Sequence, residues 1–191
     1  MRRTVWRVGV GLAATALATT ALLASQSPAS GFTLASTDIS GGGRIADSQV
    51  FNGFGCKGGN VSPALSWSNP PAGTQSFALL MHDPDAPTGS GWWHWVVYNI
   101  PASVSSLPAG AGDPQKNLLP AGAVQGRTDF GTSGYGGPCP PPGKPHRYYL
   151  RLYALKVAKL DVPADATAAY IGFMARTQSL AKAELMGLYG R

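Results

Sequence analysis

A mainly β single domain, most simply a sandwich of sheets, is the fold class this sequence predicts. Three observations predict it: apolar runs of strand length recur along the chain, Gly and Pro cut the remainder into short segments, and helix-forming composition is confined to the end. No internal repeat is present.

The first thirty residues set Arg2, Arg3 and Arg7 before a charge-free run from Val8 to Ala24, followed by the small-x-small site Ser27-Pro28-Ala29. That is the pattern of a secretory signal peptide, so residues 1–29 are expected to be removed and residues 30–191 to form the domain, with no stable membrane span afterwards. The mature part keeps twelve of the fifteen Lys and Arg against nine acids, a formal charge of +3. No basic cluster interleaves with aromatic residues, which excludes a nucleic-acid face.

From Phe32 to Trp67, short apolar runs alternate with Gly, Ser, Asn and Pro, as strands and turns do. Gln75 to His82 (QSFALLMH) is a continuous apolar run suited to a buried strand, and Trp93 to Ile100 (WHWVVYNI) is rich in β-branched and aromatic residues. Strand parity sets Trp92, His94 and Val96 on one face and Trp93, Trp95 and Val97 on the other. Arg147 to Lys156 (RYYLRLYALK) alternates so that Tyr148, Leu150 and Leu152 share a face. Between them, Pro101 to Pro145 is a long Gly/Pro-rich stretch, and Phe130 and Tyr135 within it favour an ordered loop that packs. Past Ala166, AAYIGFMARTQSLAKAELMGLYG has helix formers at apolar spacing, with Thr167 and Thr177 as N-caps and Gly187 as a stop, which predicts one helix or two short ones.

Cys56 and Cys139 are the only cysteines, and export carries both into an oxidising compartment, so a disulfide is expected; two separate buried thiols are the alternative.

The densest chemistry lies in HDPDAPTGSGWWHWVVYN, residues 82–99. Pro84 and Pro87 hold the residues before them extended, so the DPDAP turn fixes Asp83 and Asp85 at little further entropic cost. If the flanking strands pair, Asp83 and His94 meet across the turn, and a carboxylate accepting from one ring nitrogen fixes the tautomer and favours the cation. A purely structural Asp–His hydrogen bond is equally open. His82 is assigned no role. A second cluster, PHRYY, sets His146 at the head of a strand with Tyr148 on the same face. Two imidazoles and a phenol together suit an anion, and the glycines of GYGGP allow backbone N–H groups to approach a ligand. Catalysis has less support: no GxSxG elbow and no HExxH helix occur, and Glu184 is the single glutamate. A metal site on Asp83, His94 and His146 and acid–base work by Asp83 and Asp85 remain as rivals.

NVSPALSW (Asn60 to Trp67), DPDAP, WWHWVVYNIP, GYGGPCPPPGKPHRYYLRLYAL (Gly134 to Leu155) and the closing AEL and YG occur here in one order. In these motifs the chain resembles the phosphatidylethanolamine-binding protein family, in particular its bacterial Raf kinase inhibitor-like branch. The resemblance implies a β-sandwich with a large central antiparallel sheet, a smaller sheet and short C-terminal helices, with a small anion pocket near its rim. Carried over motif by motif, it assigns ligand contacts to Asp83, Asp85, His94, His146 and Tyr148, a wall to Gly137 and Pro138, and the rim to Pro87. It implies no catalytic residue, metal or cofactor. The WWH element and the GPCPPPGKPH loop depart from animal relatives, so head-group preference does not transfer.

The expected function is therefore a non-enzymatic, periplasmic or secreted protein that holds a phosphate-like anion or phospholipid head group. An interaction protein inhibiting a protease, kinase or host factor through the pocket rim is the alternative, and a metal-assisted hydrolase ranks third.

Overall fold

The computed structural model describes Met1 and residues 31–191, so the expected signal segment lies outside the described residues. In chain order the elements are β1 (Thr33–Ser36), β2 (Asn52–Gly53), β3 (Cys56–Lys57), β4 (Leu65–Ser68), β5 (Ser76–Asp83), β6 (Trp92–Pro101), β7 (Ser106–Leu107), β8 (Val124–Gln125), β9 (His146–Leu155), α1 (Ala168–Thr177) and β10 (Ser179–Tyr189). Five of these strands form the central antiparallel sheet in the order β10-β9-β5-β6-β8, a smaller sheet runs β1-β4-β7, and β2 and β3 make a hairpin. The sandwich predicted from sequence is the fold observed.

The unbroken apolar run of β5 is explained by its place, because both of its faces are covered. Phe77, Leu79 and Met81 look toward the small sheet and pack with Trp95, Val97, Leu150 and Leu152 against Leu34, Leu65, Trp67 and Leu107. Ala78 and Leu80 look the other way, where Val96, Tyr98 and Leu155 meet Ala168, Ile171 and Ala175 of α1. At roughly 25 cal/mol per Å² of apolar surface removed from water, these two layers are the main stabilising term.

β6 departs from simple parity. Met81 pairs with Trp95 and His82 with Trp93, which leaves His94 unopposed as the extra residue of a β-bulge. The bulge puts neighbours His94 and Trp95 on the inner side with Trp92, and turns Val96 outward with Trp93 beneath α1. The sequence-based alternation is thus corrected at this point. A second irregularity sits at Asn99, whose φ is 58° and whose side chain accepts from the Leu160 N–H at 2.8 Å.

The C-terminal expectation holds only for its first half. Thr167 caps α1, accepting from the Tyr170 N–H, but Thr177 ends that helix instead of starting another. Residues 179–189 form the edge strand β10, paired with the whole length of β9. Helix-forming residues yield here to ten ladder partners and to an alternation that buries Ala183, Leu185 and Tyr189. Gly187, expected as a helix stop, lies inside β10, where a Cβ would press on Ile45 at 2.6 Å.

Cys56 and Cys139 form a disulfide with their Cα atoms 6.0 Å apart, as expected. It ties the β2–β3 hairpin to the long loop between β8 and β9, which is ordered and packed as predicted.

Candidate functional site

Because β5 runs antiparallel to both neighbours, its C-terminal end meets the start of β6 and the start of β9 at one rim of the sheet. Asp83, Trp92 and His146 occupy those three ends. They surround a cavity of about 150 Å³ whose floor is Asp83, His94, His146 and Tyr148. Its mouth is apolar: Phe54 from the hairpin, Ala86 and Pro87 from the DPDAP turn, Trp92, Phe130, and Cys139 to Pro141 from the loop before β9.

The polar floor is wired differently from the sequence-based expectation. Asp83, only 2% exposed, accepts from Nδ1 of His146 at 2.7 Å and from the Asp85 N–H at 2.8 Å. Its expected partner, His94, is instead tied to the loop: Nδ1 donates to the Gly136 carbonyl at 2.7 Å while the His94 carbonyl accepts from the Gly136 N–H. The ring packs on Tyr148, edge to face with centroids 5.1 Å apart. The expected cation is corrected as well. Burial is the largest influence on His94 and lowers its pKa to about 4, against the raising effects of the Gly136 carbonyl and Asp83. The ring is therefore neutral at physiological pH.

Tyr148 is fully buried, and among the described residues its hydroxyl has no hydrogen-bond partner. Burial and the neighbouring Asp83 carboxylate raise its pKa, so it stays an intact O–H beneath the cavity, beside Asp83. A buried polar atom left unpaired is costly.

Asp85 does not face the cavity. Its carboxylate accepts from the Arg147 backbone N–H and Nε, each at 2.9 Å, and from a terminal guanidinium nitrogen at 2.6 Å. Those side-chain bonds hold its pKa down at about 2. Asp85 thus fastens the DPDAP turn to the head of β9 and lines an adjoining open groove with Lys144 and Arg147. Asp85, expected as a ligand contact, is placed outside the cavity of Asp83, His94, His146 and Tyr148.

Gly137 and Pro138 stand behind the cavity wall. Gly137 donates to Asn60 Oδ1 at 2.8 Å, and a Cβ there would collide with the Gln49 carbonyl, so the glycine is required by backbone packing and its N–H is not free for a ligand. Pro138 accepts from the Phe51 N–H at 3.0 Å. Pro87 does line the mouth. His82, assigned no role, bonds the Ser90 carbonyl and stacks on Trp93, 4.2 Å between centroids.

Sequence reasoning missed the aromatic collar. Phe54 stacks with Phe130 at 5.9 Å, and Phe130 meets Trp92 edge to face at 5.5 Å. The expected disulfide carried a signal for this, since bridging Cys139 to Cys56 draws Phe54 toward Pro140.

A β-sandwich with a small polar-floored cavity at the rim of its larger sheet is the class these features define. A sequence profile of the phosphatidylethanolamine-binding protein family matches residues 35–190, and the chain belongs to that family. It is 49% identical to YbcL of Escherichia coli K12 over 170 residues, 88% of this chain and 93% of that protein. YbhB of the same organism is 46% identical over 156 residues, 82% of this chain and 98% of that one. The crystal structure of E. coli YbcL, described as a member of the mammalian PEBP family, superposes with a TM-score of 0.82 at 51% identity, covering 84% of this chain and 98% of that chain. A Chlamydia trachomatis homologue gives 0.69 at 35% identity, covering 84% and 97%.

Proposed function

We propose that this protein is a non-enzymatic binding protein that holds a phosphate-like anion or phospholipid head group in the cavity of Asp83, His94, His146 and Tyr148. The observation that carries this reading is the unpartnered Tyr148 hydroxyl on a floor shared with the Asp83–His146 pair. Tyr148 O–H and, when the ring is protonated, His146 Nε2–H are the donors that would receive ligand oxygens, through hydrogen bonds strengthened by the ligand's charge. The apolar collar suits the carbon side of a phosphoester, and the family's name for phosphatidylethanolamine is in keeping with that pairing.

Binding rather than turnover is favoured because the aliphatic hydroxyl and the sulfur that line the cavity are already engaged. The Thr88 hydroxyl bonds the Gly91 carbonyl, and Cys139 is bonded to Cys56. Export to a periplasm or medium is part of the proposal, resting on the residue pattern of 1–29 and consistent with the disulfide. A second reading, contact with a protein partner through the rim, is favoured by Phe54 alone, a phenylalanine 67% exposed at the mouth.

Calorimetry with inorganic phosphate and phosphoethanolamine tests the pocket. Binding that weakens in His146→Ala supports it, and no heat with any small oxyanion removes it. Mass spectrometry of the N-terminus in a periplasmic extract tests export.

A further inference from the structure

We propose that the cavity selects oxyanions that keep one ionisable proton, such as the singly protonated phosphoryl group of a phosphomonoester, over those that carry none, such as a sulfate ester. This rests on the reading of the cavity as an anion pocket and specifies the form of anion that fits it.

The carrying observation is the direction of the hydrogen bonds on the floor. Nδ1 of His94 lies 2.7 Å from the Gly136 carbonyl, which has no proton to give, so the ring proton sits on Nδ1. In a neutral ring Nε2 is then a lone pair. Asp83, as a carboxylate, also offers only lone pairs. On the other side stand two donors, the Tyr148 hydroxyl and His146 Nε2–H when that ring is charged. The floor therefore offers donors for ligand oxygens beside an acceptor at His94 that wants an O–H.

A phosphoryl monoanion supplies both kinds of group. A sulfate ester has the same charge and nearly the same shape, but it would set an oxygen lone pair against Nε2 in a place largely shut off from water. Leaving a buried acceptor unmatched in this way weakens binding by roughly 10- to 100-fold.

The ring does not escape this by taking up a proton. Asp83 and, more distantly, His82 face it from β5, and Tyr148 and His146 from β9; the loop before β9 brings the Gly136 carbonyl, Phe130 and the disulfide-bonded Cys139. His82 opposes a charge on His94 and Asp83 favours one, but burial outweighs both.

The test is calorimetry on the intact protein with methyl phosphate, methylphosphonate and methyl sulfate between pH 5 and pH 8. Methyl phosphate should bind at least about 10-fold tighter than methyl sulfate at the acid end, where both are monoanions. Measured relative to methyl sulfate, which carries only the protein's own titrations, affinity for the two phosphorus ligands should fall as pH rises through each ligand's own second pKa, near 6 for a phosphate ester and higher for the phosphonate. His94→Asn, whose amide donates as well as accepts, should raise methyl sulfate affinity toward that of methyl phosphate, with folding checked by a thermal melt. Should that variant fail to fold, the wild-type comparisons decide alone. Equal binding of methyl sulfate and methyl phosphate at pH 5, or one common pH midpoint for both phosphorus ligands once their affinities are divided by that of methyl sulfate at each pH, overturns the proton requirement and leaves the anion pocket standing. No binding of any of the three overturns both.

Discussion

His146 Nδ1 lies 2.7 Å from Asp83 Oδ2, a side-chain bond that joins the end of β5 to the start of β9 across 63 positions of sequence. Asp83 is buried, so His146→Ala leaves a carboxylate with its main partner gone, and a loss of about 3 kcal/mol in stability is expected. Asp83→Asn keeps an acceptor for the ring and should cost less. In urea unfolding, a double-mutant cycle on the two residues should return a coupling of about 1 to 3 kcal/mol. Additive effects would show that the pair is incidental.

His94 should make the fold sensitive to acid. Its folded-state pKa of about 4 lies below the unfolded value of 6.5, so between those values the unfolded chain binds the proton and the native chain does not. The stability this contributes is complete above pH 6.5 and is lost as pH falls toward about 4, to a maximum of about 3 kcal/mol. Urea midpoints measured from pH 7 to 4 should fall in the native protein and fall less steeply in His94→Gln.

Asp85 and Arg147 separate support from contact. Asp85→Ala removes the fastening of the DPDAP turn while leaving every floor residue in place. Phosphate affinity is expected to drop about 3- to 10-fold, through a less ordered turn, which is smaller than the loss in His146→Ala. A loss equal to that of His146→Ala would mean that Asp85 reaches the ligand.

The Cys56–Cys139 bridge closes a loop over a separation of 83 residues. Chain entropy puts its contribution at about 4 to 5 kcal/mol, so the double Cys→Ser variant should show a clearly lower thermal midpoint. It should also weaken ligand binding, since Phe54 and Pro140 stand on either side of the bridge. A variant with unchanged affinity would show that the wall holds its shape without it.

Phe54 distinguishes the collar from the floor. Phe54→Ala removes an aromatic surface from the mouth and none of the polar groups below it. Inorganic phosphate should bind about as before, whereas a short-chain phosphatidylethanolamine should lose roughly 1 to 2 kcal/mol. Equal losses for both ligands would place Phe54 in the floor's support.

Much of the molecule is legible in the residues alone. The grouping of Asp83, His94, His146 and Tyr148 in one pocket is what the family resemblance implies, while the apolar run of β5, the alternation of β9, the stiff DPDAP turn and the cysteine pair follow from local patterns. These are properties of short segments, set by side-chain periodicity, proline geometry and the chemistry of single residues. Three features were decided only by the assembled chain. Residues 179–189 became a strand because β9 offered a ladder along its whole length, which helix propensity does not outweigh. The bulge at His94 shifted the register of β6, and that shift passed the carboxylate of Asp83 from His94 to His146. Burial, finally, fixed the charge of His94, because the water removed from around a ring depends on what packs over it, and here that comes from segments more than forty residues further along the chain.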